Sequence, residues 1–79
     1  MRTISYDPLW KKLIDLKLSK SDLVKKANLS KATVAKMGKE EFVSLEVVVR
    51  ICNALDCEIY DVIELHDHAS AGNGSEGGI

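Results

Sequence analysis

Little in this chain is equipped for chemistry. Its 79 residues include two histidines, two cysteines, one tryptophan and one phenylalanine, and aromatic residues make up 5% of the total. Both histidines lie near the C-terminus and the acids read as surface residues. No serine–histidine–acid set, glycine-rich phosphate loop or buried carboxylate pair can be assembled from them, so no enzyme is expected. Cys52 and Cys57 make no disulfide framework, which suits a reduced cytosol. With His66 and His68 they give C-x4-C and H-x-H spacings that match no strong zinc signature, and Cys52 falls on a helical core stripe. Neither a metal nor a cofactor is expected. No apolar run reaches the roughly 18 residues of a membrane helix. The N-terminus lacks the basic and apolar blocks of a secretory signal, so a cytoplasmic protein without membrane contact is expected. Proline occurs once, at Pro8.

What remains is one small domain. An apolar content of 46% is normal for a globular chain, but a core of this size is marginal or shared with a partner chain. The net charge of −1 conceals a division. From Leu9 to Lys39 nine lysines face two acids, giving +7, and from Glu40 onward nine acids face Arg50, giving −8. The overall pI near 6.1 argues against nucleic acid, but the segregated charge argues for it. A local basic face attracts phosphate over about one Debye length, roughly 8 Å. Lysines also coat solvated helix faces for solubility alone, so the pattern around them has to decide.

The chain in order gives a series of short helices. Residues 1–6 alternate Ile4 and Tyr6 with Thr3 and Ser5, as an extended arm or small strand. Asp7-Pro8 starts a helix over about 8–17, with Asp7 as N-cap. Leu9, Trp10, Leu13, Ile14 and Leu16 make its apolar stripe, and Trp10 is read as core packing. Ser19 and Asp22 have capping-box spacing for a second helix over about 20–27. Asn28 tolerates the left-handed turn that follows, Leu29 plugs it, and Ser30 caps a third helix over 31–37. Val34 and Met37 point inward there; Lys31, Ala32, Thr33 and Lys36 are left outward. Gly38 ends that helix as a C′ glycine. Ser44 caps a fourth helix over about 45–54 with a stripe of Leu45, Val48, Ile51, Cys52 and Leu55. Residues 58–64 read as a fifth short element with Ile59, Val62 and Ile63 inward; alternatively Val62-Ile63 is extended and pairs with residues 4–6. From His66 onward glycine, serine and alanine dominate, and a flexible tail is expected over 66–79 beyond a domain of 1–65.

A short helix that shows small and basic residues, braced by a second helix, suits a DNA major groove. Residues 19–39, SKSDLVKKANLSKATVAKMGK, resemble the helix-turn-helix of the phage repressor/Cro (XRE-type) family. Residues 44–65, SLEVVVRICNALDCEIYDVIEL, are similar to that family's fourth and fifth helices, and residues 4–23, ISYDPLWKKLIDLKLSKSDL, resemble a branch of small regulators within it. The resemblance implies an all-α fold of five short helices, lambda-repressor-like, with a short extended N-terminal arm. It also implies a DNA-binding transcriptional regulator, a repressor, acting on double-stranded DNA as a homodimer.

The family's contact positions carry over to Lys20 at the start of the second helix and to Ser30 at the recognition-helix N-cap. Lys31, Ala32 and Lys36 take the base-facing positions, Thr33 lies beside a phosphate, and Lys39 lies just beyond the helix. Lys20 replaces the usual glutamine, Val24 a usual alanine, and Asn28 the usual turn glycine, which leaves base preference open. In a different class, the same fold can serve as a protein-interaction module, an antitoxin or accessory subunit, using the acidic half and the valine-rich fourth helix.

Overall fold

A computed structural model of the chain describes residues 1–67. The order is β1 (Arg2–Ser5), α1 (Asp7–Asp15), α2 (Lys20–Ala27), α3 (Lys31–Gly38), α4 (Leu45–Leu55), a 3-10 turn (Ile59–Asp61) and β2 (Glu64–Asp67). The tail expected from residue 66 onward lies, from residue 68, outside the described residues; His66 and Asp67 belong to β2.

The fold class differs from the sequence expectation. The described residues form four helices and a two-stranded antiparallel sheet, rather than an all-α unit of five helices. The fifth element shrinks to a single turn because nothing sustains a helix there. Asp56 leaves α4 in the left-handed conformation (φ 54°), and Val62 has already drifted to φ −111°. The few residues between cannot repay helix nucleation. β2 instead pairs with the N-terminal segment, which is a strand and not a free arm. The register is Arg2 with Asp67, Thr3 with His66, Ile4 with Leu65 and Ser5 with Glu64. The alternative pairing of Val62-Ile63 with residues 4–6 is therefore right in kind but two residues early. Val62 is fully buried in the core and outside the ladder.

Helix ends follow local chemistry. Tyr6, not Asp7, is the N-cap of α1, and Asp7 is its first residue. The capping hydroxyl comes from buried Ser5, whose Oγ accepts the Asp7 N–H at 3.2 Å. α1 stops at Asp15, and Lys17 turns the chain with φ 59°. Ser19 and Asp22 form the expected box: Ser19 Oγ accepts the Asp22 N–H at 3.1 Å, and Asp22 Oδ2 accepts the Ser19 N–H at 2.8 Å. Ser44 Oγ accepts the Val47 N–H at the start of α4. Gly38 is not a C′ residue; it is the last residue of α3, and Glu40 takes the left-handed conformation at φ 59°. Three bonds close that end, from the amides of Lys39 and Glu41 to the Lys36 carbonyl and from Glu40 to Met37.

Leu9 and Leu13 of α1, Leu23 and Ala27 of α2, Val34 and Met37 of α3, and Val48 and Ile51 of α4 meet in one core with Ile4, Tyr6 and Val62. Each helix contributes a pair three or four residues apart, the narrow seam of a short amphipathic helix. The expected stripes were too wide. Ile14 is 73% exposed and Leu45 70%, because each lies outside its helix's inward pair. Tyr6 OH donates to the Glu41 carbonyl at 2.6 Å and ties the start of α1 to the α3–α4 loop.

Candidate nucleic-acid interface

The geometry of α2 and α3 is set by their caps and the turn between them. Asn28 holds φ 56°, ψ 53°, and its N–H reaches the Val24 carbonyl. The Leu29 N–H reaches the same carbonyl at 3.0 Å. Arg50 of α4 donates to the Asn28 carbonyl at 3.1 Å and pairs with Glu46 at 2.8 Å. The turn is thus clamped from outside the motif, by a residue the sequence reading did not single out. Its only signal was being the lone cation after residue 40. Leu29 is half-buried beneath the turn.

Ser30 Oγ accepts the Thr33 N–H at 3.0 Å and lies 2.9 Å from Thr33 Oγ1. The cap therefore uses two hydroxyls, and Thr33 is half-buried against it. Val34 and Met37 fix the inner face of α3, leaving Lys31, Ala32, Ala35 and Lys36 exposed along its outer face. Lys39 is exposed one residue beyond the helix. An open groove of about 490 Å³ runs between the two helices. Lys20, Lys25 and Lys31 line it together with Val24, Val34, Ala35 and Gly38.

Lys20 is exposed but not free-standing. Its Nζ lies 4.6 Å from the centre of the Trp10 ring. Trp10 is half-buried and packs at a tilt on Tyr6, with ring centres 6.4 Å apart. Two hydrogen bonds from the Ser19 backbone and hydroxyl, helped by Lys25 and Lys26, hold the Asp22 carboxyl below its usual range.

Residues able to bind metal sit elsewhere. Donor atoms of Asp7, Glu64 and His66 lie within 4.8 Å of one another. The contacts they make already account for that arrangement: His66 Nε2 bonds to Glu64 and stands 3.9 Å from Asp7. Cys52 and Cys57 are half-buried free thiols. Burial, then neighbouring Cys52 and Asp61, push the Cys57 thiol up to about 11. At neutral pH it is a protonated packing group, not a nucleophile.

The profile of the Cro/C1-type helix-turn-helix DNA-binding domain matches residues 8–68. The chain belongs to this family. A crystal structure of the transcriptional regulator VanUg (form II) has the same fold, with a TM-score of 0.79 and 45% sequence identity. The similarity covers 82% of this chain and 87% of that one. No curated protein sequence matches. The family is that of a helix-turn-helix DNA-binding domain. No helix among the described residues is long and apolar enough to cross a membrane.

Proposed function

We propose that the protein is a sequence-specific transcriptional regulator that binds double-stranded DNA as a homodimer, with α3 in the major groove, and that it represses by occupying its operator. The observation that carries this reading is the division of α3. Val34 and Met37 are buried, while Lys31, Ala32 and Lys36 line the opposite, solvent-facing side. Lys31 and Lys36 reach guanine O6 and N7, Ala32 meets a thymine methyl, and Ser30, Thr33, Lys20 and Lys39 hold phosphates on either side. VanUg's description as a transcriptional regulator supports the reading.

A single module of this size buries only about 600–1,000 Å² of its own surface on DNA, at or below the low end of specific interfaces. Two copies reading half-sites about 34 Å apart supply the rest. Val49, Ile59 and Tyr60 are exposed apolar residues on α4 and the 3-10 turn, and they are available for that dimer. Exposed Phe42 and Leu45 favour a second reading, a module whose main partner is a protein.

Binding of a random-sequence duplex across a salt series tests the first reading. Affinity falls with salt on a log–log slope of about −0.9 per phosphate contact. Replacing Lys31 and Lys36 together by alanine weakens binding and, if either touches phosphate, flattens that slope. Absent binding at low salt, or a double variant identical to the wild type, refutes insertion of α3. Selection from a random DNA library then reports half-site spacing.

A further inference from the structure

Lys20 poses a physical problem that the fold answers. It is the first residue of α2, where the helix dipole disfavours a cation. A lysine there would ordinarily extend into solvent and would have to give up rotamer freedom on meeting a phosphate. Here its ammonium lies 4.6 Å from the centre of the Trp10 ring in α1. A side-chain carbon built on Gly38, at the end of α3, would lie only 3.6 Å from the same Nζ. One ammonium therefore sits where α1, the start of α2 and the end of α3 converge. The indole face attracts it electrostatically, and the carbonyl end of α3 carries the partial negative charge that the start of α2 lacks. The ring occupies one side of the ammonium and leaves N–H donors for an oxygen anion on the other.

We propose that Trp10 is a positioning residue: it holds Lys20 as a preset cation at the edge of the α2–α3 groove, so that the phosphate backbone meets a fixed charge instead of a mobile chain. The inference rests on the DNA reading above. It gives the tryptophan a role beyond core packing and explains how lysine serves where the resemblance leads one to expect glutamine.

A double-mutant cycle on the full chain tests it, with a random-sequence duplex at low salt as probe. Trp10→Leu keeps bulk but loses the π face, and weakens binding about two- to five-fold, the worth of an exposed cation–π contact. In a Lys20→Met background the same change costs nothing further, whereas a packing role would cost the same in both backgrounds and overturn the proposal. Trp10→Phe retains a ring and recovers part of the loss; if Trp10→Leu fails to fold, Trp10→Phe is carried through the cycle in its place. Trp10 is the only tryptophan, so Lys20→Met also shifts the intrinsic emission before any DNA is added. Unchanged emission overturns the proposal. A wild-type protein that binds no duplex overturns both the DNA reading and this inference, while binding with additive variants overturns this inference alone.

Discussion

At the scale of single residues, Gly38 shows how a plausible motif misleads. A glycine after an apolar, basic helix reads as a C′ residue that needs a positive φ. Here it is helical, and the positive φ falls two residues later on Glu40. A Cβ on Gly38 would meet only the Lys20 ammonium, at ordinary contact distance. Gly38→Ala therefore raises stability by about 0.5 kcal/mol, read from the urea midpoint, because alanine loses less backbone entropy in a helix. A loss of more than 1 kcal/mol would restore the C′ reading.

Buried Tyr6 and the half-buried thiols of Cys52 and Cys57 all hold their protons above the usual range, so the fold loses stability at alkaline pH. Burial raises the Tyr6 hydroxyl, with partial relief from the Val43 backbone, and the Cys57 thiol is raised from 9.0 to about 11. A raised folded-state pKa means that the folded form keeps its proton longer than the unfolded form. The Cys57 contribution is thus fully present below pH 9 and is lost progressively as pH rises toward 11. Urea midpoints across that window decline in the wild type and decline less steeply in Cys57→Ala. Equal slopes would show that the thiol does not contribute.

At the scale of elements, the turn between α2 and α3 is where local strain meets outside support. Asn28 is left-handed, and glycine takes that conformation without the Cβ penalty. Asn28→Gly is expected to be neutral or stabilising by up to about 1 kcal/mol, since the bonds at this position use its backbone atoms. Asn28→Val loses at least about 1 kcal/mol through its branched Cβ. Arg50→Met costs about 1 kcal/mol by removing the donor to the Asn28 carbonyl. Thermal or urea denaturation of the three variants ranks them. An Asn28→Val protein as stable as Asn28→Gly would contradict the left-handed turn.

The sheet is the weaker element. Two strands alone are marginal in water, and β2 is mostly exposed while Ile4, Ser5 and Tyr6 are buried. Amides of β2 that bond to β1 should exchange with solvent well before those of Leu23, Met37 and Ile51. Protection of β2 equal to that of the helical core would show that β2 opens only with global unfolding.

At the scale of the whole molecule, charge division and exposed apolar surface act on different partners. The +7 segment from Leu9 to Lys39 contains α2 and α3, and the −8 remainder contains α4 and β2. Salt should weaken duplex binding steeply, because it screens phosphate attraction. It should leave association between copies nearly unchanged if that rests on Val49, Ile59 and Tyr60, because apolar burial is not screened. Sedimentation at low and high salt separates the two. A dimer that dissociates as salt rises would place the contact on opposed charge instead of apolar surface.

The starts of α2, α3 and α4 and the inward face of α3 were legible in the chain itself, whereas α1 starts one residue earlier than Asp7-Pro8 suggests. Ser19, Ser30 and Ser44 each accept the amide three residues ahead, and Val34 and Met37 share a face because of helical pitch. These are short-range effects, fixed by neighbours a few residues away. Tertiary structure decided what depends on distant partners. Residues 64–67 form a strand because residues 2–5 lie beside them, and Ile14 is exposed because the core takes only Leu9 and Leu13 from α1. Arg50 clamps a turn 22 residues away, and Lys20 leans on a tryptophan from another helix. The strand, the Arg50 clamp and the Lys20 contact each depend on a partner that spacing along the chain does not encode.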